Sequence, residues 1–557
     1  MNVLFLTLVD FSTLEDSNIY TDLLKVFLKN GHNLSIISPV ERRKNQKTSI
    51  IQTPNVQILK LRIGNVQKTN FIEKGISTLT LEHKFINGIK KYFPKTKFDL
   101  VLYSTPPITF EKAIRYVKNR DEATTYLMLK DIFPQNAIDI GLLSKSGIKG
   151  RIYRHFKRKE ERLYDISDVI GCMSNANVEY IRKHSKTAQT KLIEVCPNSI
   201  EPSNLVYTQE QKQKARSKYG LPTDKTIFVY GGNIGRPQGV DFIIECLRRN
   251  EENENSFILI AGSGTDQNKL EEYFSGHEPK NSKLIPFLPK IEYDLLIRCC
   301  DVGLIFLDHR FTIPIYPSRM LSYMDAALSI LAATDTNTDI KQLIIEEKLG
   351  YWCESNDVNS FNNSLQLLCE PDVLVRMGAN SKKTLLTKFT SNLTYETMSK
   401  HFFVYCLAYG SNMSKNQMKD RCKSAEFISA GYLDGYQLVF DGYSKNRNGM
   451  VADIRKSADS KVPYVLWKVS ESDMKCLDDD EGYPKHYEKA CIPVPINNQI
   501  VNAIVYTMTD SKKNSRQSSS GVSPEYIELI RNGLKENGLS ETYLDDALLN
   551  LTNKSQE

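Results

Sequence analysis

The 557-residue chain holds no run of eighteen apolar residues, so no helix is expected to cross a membrane. Its opening apolar stretch, Val3 to Leu6, is too short for a secretory leader and has no basic lead. None of its 11 cysteines forms a Cys-x-x-Cys pair, and its 8 histidines show no ligand spacing. A zinc site is therefore not expected, and the thiols read as reduced ones in a cytoplasmic protein. The formal charge of +7 is small for this length, which gives no support to nucleic acid as a partner. No internal repeat is visible.

What is present is an ordinary globular composition, 41% hydrophobic and 25% charged, with chain enough for roughly three to four domains. One local excess of charge stands out. Lys145, Lys149, Arg151, Arg154, Lys157, Arg158 and Lys159 follow one another with no acid between them. This is either a solvated helix face or a patch that meets anionic lipid at the inner face of the cell membrane.

The first half alternates buried-strand runs with amphipathic stretches. Val3–Leu8, Asn33–Ser38, Phe98–Tyr103, Thr124–Leu129 and Asp168–Met173 read as strands. A second alternating unit starts near Leu221, with strands at Ile227–Tyr230, Phe257–Ala261, Val302–Leu307 and Ser329–Ala332. Apolar runs of this length between helices predict parallel sheets covered on both faces, with the cleft at the carboxyl ends of the strands. The third unit starts at Phe402–Ala408 and is strand-rich to about Thr509. Its polar stretch Asp510–Gly521 reads as a mobile loop, and Ser523-Pro524 as the cap and first residue of a helix. The fold class is thus α/β: two doubly wound domains over 1–200 and 201–400, then a smaller mixed domain over 403–555. The last helix of the second domain is expected to pack back on the first.

Two segments of the second unit suit a diphosphate. The glycine turn Gly231-Gly232-Asn233-Ile234-Gly235 is read as opening a helix, where free N–H groups and the helix dipole hold phosphate without a metal. Pro317-Ser318-Arg319 then places Ser318 as an N-cap and Arg319 in the first turn, where a guanidinium grips two oxygens. With Lys130-Asp131-Ile132-Phe133-Pro134 and Tyr323-Met324, these pieces resemble family 4 retaining glycosyltransferases of the GT-B fold, in particular those building bacterial capsule and O-antigen chains. The resemblance implies a nucleotide sugar, usually UDP-linked, on the second domain and a saccharide or lipid-linked saccharide acceptor on the first. No cofactor is implied besides that donor substrate. The family's usual Arg and Lys of the phosphate loop fall at Asn233 and Gln238, with Arg236 and Arg319 as replacement cations. Its two spaced glutamates are missing, their places falling near Pro314 and Ser322. Gly231, Gly232, Asn233, Gly235, Arg236, Ser318, Arg319 and Ser322 are the expected donor contacts. Asp131, at the end of a strand, either aligns an acceptor hydroxyl or serves as an N-cap. Asn198 either reaches the cleft or forms a turn.

Near the C-terminus, Tyr409-Gly410-Ser411-Asn412-Met413 follows a strand, and Asp480-Glu481-Gly482-Tyr483-Pro484 with Tyr487 comes about seventy residues later. The first piece offers backbone N–H groups, with Gly410 allowing close approach and Asn412 locking the turn. The second offers a carboxylate among aromatic rings. Together with the tail from Ser523 to Leu539 they resemble the γ-glutamylcyclotransferases. That implies cyclising cleavage of a γ-glutamyl amide to 5-oxoproline and a free amine. Glu481 is the expected acid and base, and Tyr409–Met413 with Tyr487 hold the substrate. Asp478, Asp479 and Asp480 read as a solvated run in the same loop. A sugar transferase joined to this domain suggests a bifunctional enzyme acting on a γ-glutamylated amino sugar; the alternative is a non-catalytic assembly module.

Overall fold

A computed structural model describes residues 1–16, 18–66, 71–285, 287–423, 425–496, 499–513 and 521–553. Much of the polar stretch Asp510–Gly521 lies outside the described residues, as do the last four. The chain forms two compact units, Asn2–Tyr395 and one containing Glu396–Glu557.

The first unit holds two sheets. The N-terminal one comprises β1 (Asn2–Leu6), β2 (Asn33–Glu41), β3 (Ser49–Thr53), β4 (Val56–Ile63), β5 (Leu100–Ser104), β6 (Thr124–Leu129), β7 (Val169–Cys172) and β8 (Leu192–Val195), in the order β3-β4-β2-β1-β5-β6-β7-β8. All neighbours are parallel except β3 and β4, which form a hairpin. Val3, Leu4, Phe5 and Leu6 are fully enclosed because helices cover both faces, which explains their unbroken apolar run. The hairpin is absent from the sequence reading. β3 is exposed along its whole length, so it shows no buried periodicity to detect.

The second sheet comprises β9 (Thr226–Asn233), β10 (Ser256–Ser263), β11 (Ser282–Ile285), β12 (Val302–Phe306), β13 (Ser329–Thr334) and β14 (Gly350–Glu354), all parallel, in the order β11-β10-β9-β12-β13-β14. The order reverses between β9 and β12, as it does between β1 and β5 in the first sheet. Both crevices open at strand carboxyl ends, where ligands of such sheets bind.

A segment after β12 stitches the two halves together. Phe311 and Ile313 are buried in the core of the N-terminal half. Between them Thr312 donates its N–H to Asp139 Oδ2 at 2.8 Å and its hydroxyl to the same carboxylate at 2.9 Å. Asn177 Nδ2 donates to Pro314 O at 2.8 Å. The same segment leads into helix Arg319–Asp325. Helix Ser391–Ser399 returns to the first half, where Tyr395 bonds His32 Nε2 at 2.8 Å and stands edge-on to Phe27.

The second unit is built on β15 (Phe403–Ala408), β16 (Glu426–Ser444), β17 (Gly449–Ser470), β18 (Tyr487–Ile496) and β19 (Gln499–Met508), in the order β16-β17-β15-β19-β18. β15 pairs parallel with β19 and antiparallel with β17. Three register shifts interrupt the long β16–β17 ribbon and let it curl around one core that includes Trp467, Leu466 and Val505. Ser523 caps helix Pro524–Glu536 through Tyr526 N. Among the described residues no helix is long and apolar enough to cross a membrane.

Candidate active sites

At the carboxyl end of β9, Gly232 has φ +113°, a conformation that favours glycine, and a Cβ there would sit 3.7 Å from the Arg319 guanidinium. That guanidinium lies 4.2 Å from the centroid of the Tyr230 ring, and its buried Nη1 has no hydrogen-bond partner. A buried, unsatisfied cationic donor is costly unless a ligand completes it. Arg319 is therefore the feature here that asks for an anion.

The glycine loop itself differs from the expectation in three ways. Gly231–Asn233 belong to the strand, only a single 3-10 turn, Arg236–Gln238, follows Gly235, and the α-helix starts at Val240. The loop's N–H groups are largely used: Gly231 donates to Tyr323 Oη at 3.1 Å, Ile234 to Ser263 O at 3.0 Å and Gly235 to Gln238 Oε1 at 3.1 Å. Asn233 Nδ2 donates to the same Gln238 oxygen at 3.0 Å. Asn233, expected as a donor contact, and Gln238, both at places where the resembled family carries cations, bond each other within the loop. Ser318 precedes the Arg319 helix but makes no capping bond. Its backbone is already helical there, so its hydroxyl does not reach the N–H groups it was expected to cap. Arg236 and Ser318 are exposed, and among the described residues no side-chain hydrogen bond is made by Arg236, Ser318 or Ser322.

On the N-terminal half, Asp131 follows β6. Its N–H donates to Thr105 Oγ1 at 3.2 Å, and both its carboxylate oxygens accept from Asn136 Nδ2, at 2.9 and 2.8 Å. It caps no helix, and burial pushes its pKa up to about 6. The preceding Lys130 was not singled out as a functional residue. Its ammonium bonds Asn198 and stands 4.7 Å from the centroid of the Tyr20 ring, and burial pushes its pKa down to about 7. Asn198 thus reaches a charged neighbour at the strand ends rather than merely turning the chain. A lysine directly after an enclosed apolar run was the available signal for this pair.

In the second unit, Glu481 is the last residue of helix Glu471–Glu481, not part of a loop. Gly482, at φ +65°, ends the helix. Glu481 Oε1 accepts from Asn412 Nδ2 at 2.9 Å and from Arg421 Nη1 at 3.0 Å. Arg421 also donates to Asn412 Oδ1 at 2.9 Å and pairs with Asp480 at 3.3 Å. Among the described residues Oε2 accepts no bond. Burial pushes the Glu481 pKa up; Arg421 and Asn412 oppose that shift, and Asp480 adds to it. The negative end of the helix dipole acts in the same direction as the burial.

The turn after β15 stands beside it. The N–H groups of Gly410, Ser411 and Asn412 have no acceptor among the described residues, whereas Met413 N donates to Gly410 O at 3.0 Å. Met413 is fully buried, so its expected substrate contact is corrected to a packing role. Tyr409 is enclosed too, its hydroxyl donating to Tyr506 O at 2.6 Å. Ser411, Glu481, Tyr487, Tyr526 and His486 line one cavity of about 900 Å³. Tyr487 Oη donates to Ala452 O at 2.7 Å, leaving its ring as cavity wall. His486 stacks on Tyr487, its buried Nε2 lacks a partner, and burial pushes its pKa down. Asp478 is not merely solvated: it accepts from Lys489 Nζ at 2.7 Å and from Tyr506 Oη at 2.6 Å. Arg421, the missed partner of Glu481, sits nine residues after Asn412. The short helix Lys415–Arg421 brings it back, and no motif in the sequence announces that.

Two tandem parallel sheets with facing crevices precede a curled five-stranded sheet with its own cavity, and comparisons with known proteins place a family on each part. Residues 211–384 match the family Glycosyl transferases group 1, and residues 406–523 match Gamma-glutamyl cyclotransferase, AIG2-like. The "Probable glycosyltransferase WbjE" of Pseudomonas aeruginosa is 22% identical over 372 residues, 65% of this chain and 88% of that protein. Human γ-glutamylcyclotransferase is 32% identical over 148 residues, 25% of this chain and 74% of that protein. An E. coli trehalose-6-phosphate structure bound with UDP-2-fluoro glucose shares the fold, with a TM-score of 0.54 at 9% identity over 72% of this chain and 98% of that one. The C-terminal part of the chain belongs to the γ-glutamylcyclotransferase family, and a part with the GT-B fold that is similar to group 1 glycosyltransferases precedes it.

Proposed function

We propose that the chain is a bifunctional enzyme. Its first unit transfers a glycosyl group, with retention, from a UDP-linked sugar to a surface-polysaccharide or lipid-linked acceptor. Its second unit cyclises a γ-glutamyl amide to 5-oxoproline and a free amine. The observation that carries the second reading is the asymmetric hold on Glu481. One oxygen is fixed by Asn412 and Arg421, while the other carries no protein bond beside a turn with three unused N–H groups.

In the reaction, Glu481 takes a proton from the substrate's α-ammonium. The freed amine attacks the γ-carbonyl carbon, and the developing oxyanion takes hydrogen bonds from the Gly410–Asn412 amides. The C–N bond to the leaving group breaks as Glu481 returns the proton to the departing amine, and the ring nitrogen gives up its second proton to water, leaving the five-membered lactam. Tethering of the nucleophile supplies much of the rate. For the first unit, Arg319 serves the donor diphosphate and Asp131 the acceptor hydroxyl. The E. coli structure bound with UDP-2-fluoro glucose supports the choice of donor. The shared chain supports a γ-glutamylated amino sugar as the common intermediate.

The basic stretch supports an acceptor at an anionic membrane. On helix Gly147–Ile166, Lys157 pairs with Glu160 and Lys159 with Glu82, while Lys149, Arg151, Arg154 and Arg158, with Lys145 just before the helix, remain exposed, as does Ile148 at 79%. Flotation with anionic but not neutral vesicles is the expected result.

The test of both activities is direct. The full chain is given γ-glutamyl amides and UDP-sugars in EDTA, and 5-oxoproline and glycosylated product are measured by chromatography. Release of 5-oxoproline without sugar transfer, or the reverse, removes the corresponding half of the proposal.

A further inference from the structure

Near its carboxyl end β9 carries two glycines, and each leaves room for a side chain that comes from elsewhere in the chain. A Cβ on Gly231 would fall 1.9 Å from Tyr293 Oη, so any side chain at 231 would displace the phenol. A Cβ on Gly232 would meet the Arg319 guanidinium at 3.7 Å. Tyr293 stands on helix Lys290–Ile297, and Arg319 opens helix Arg319–Asp325. Two different helices thus bring polar tips to the carboxyl end of one strand, where ligands of such sheets bind.

Both tips lack a partner. Among the described residues Tyr293 Oη and Arg319 Nη1 are buried and make no hydrogen bond. The neighbouring Tyr323 shows what a completed bond looks like here. Its hydroxyl donates to Leu304 O at 3.1 Å and accepts from Gly231 N at 3.1 Å. A buried polar atom left unpaired is a cost to folding, and two of them at one strand end make sense when a ligand completes both. Burial pushes the Tyr293 pKa well above its ordinary value, Tyr323 adds to that, and the nearby Arg319 charge opposes it. The phenol therefore stays protonated at neutral pH and is able to donate. Each residue is half-buried as a whole, so a change of rotamer that moves no backbone brings its tip to a ligand.

We infer that Tyr293 is a donor-binding residue: its hydroxyl and the Arg319 guanidinium together take the oxyanions of a nucleoside diphosphate at the end of β9. The hydroxyl gives one O–H and the guanidinium its N–H groups, and both bonds to an anion are charge-assisted. The loop amides of Ile234 and Gly235 are already spent, so these side chains are what the strand end offers an anion. The inference rests on the donor site proposed above and adds to it a residue outside both the glycine loop and the Arg319 helix.

The experiment compares the full wild-type chain with Tyr293→Phe, which keeps the ring and removes only the hydroxyl. UDP binding is measured by calorimetry, and melting without ligand by scanning fluorimetry. The Phe variant is expected to bind UDP at least about tenfold more weakly. Without UDP it should melt no lower than wild type, because an unpaired buried hydroxyl has been removed. Arg319→Gln and the double variant complete a cycle. Two groups that serve one anion are coupled, so the double variant should lose less affinity than the product of the two single losses. Unchanged UDP affinity in the Phe variant would overturn the inference. So would losses that simply multiply, or a ligand-free melting temperature several degrees lower, which would mark the hydroxyl as a structural bond. Failure of the wild-type chain to bind UDP would instead remove the donor reading itself, and the inference with it.

Discussion

Replacing Glu481 by Gln isolates proton transfer from everything else the residue does. The two donors on Oε1, Asn412 Nδ2 and Arg421 Nη1, dictate how the amide sits. Its oxygen must accept from them, which turns its NH₂ toward the position of the unbonded Oε2. An NH₂ there cannot take a proton from the substrate ammonium. The rate should fall by about 10²–10⁴, equivalent to about 2.7–5.4 kcal/mol of barrier. The acid limb of the wild-type kcat/KM profile should lie above the ordinary ~4.3 of glutamate, because burial raises this carboxyl. The same shift sets a sign for stability. A carboxyl whose folded pKa is raised contributes stability below its unfolded pKa and loses it as pH climbs through the folded value. At pH 7–8 the ionised Glu481 is therefore a cost to folding, which Gln removes, while Arg421 keeps Asp480 as a partner. The variant should melt no lower than wild type at pH 7–8, and any advantage should shrink below pH 5. The assay is 5-oxoproline release from a γ-glutamyl amide, with thermal melting as control. Near-normal release by the Gln variant, with His486→Ala inactive instead, would refute the assignment.

Three further outcomes are expected. Arg319→Ala should weaken donor binding by about 1.5–3 kcal/mol, tenfold or more in Kd, while transfer survives EDTA; chelation that abolishes transfer beside a harmless Arg319→Ala would reverse the assignment. Asp478→Asn should lower the stability of the second unit by about 1–2 kcal/mol, since it breaks the ion pair with Lys489, yet leave 5-oxoproline release near normal; an unchanged denaturation midpoint would return Asp478 to the solvated surface. Phe311→Ala should cost the first unit about 3–5 kcal/mol, because the ring is buried in the core of the N-terminal half; a calorimetric loss under 1 kcal/mol would show that the stitching segment carries no weight.

Periodicity in the sequence was sufficient for the two doubly wound sheets, because strands enclosed on both faces must be apolar throughout. Val3–Leu6 and Val302–Phe306 are legible for that reason, whereas the exposed β3 is not. The turn at Tyr409–Met413 and the acidic residue Glu481 were legible as short local patterns. Which atoms of those patterns remain available was not. Met413 points into the core, and the N–H groups of Gly231 and Gly235 are consumed by Tyr323 and Gln238, residues whose roles depend on chain that returns from elsewhere or folds back locally. Arg421 reaches Glu481 across 60 residues of sequence, and Lys130 reaches Asn198 across 68. A local pattern states what a residue is able to do. Hydrogen bonds and burial between distant segments decide what it is left free to do, and those exist only once the chain has folded.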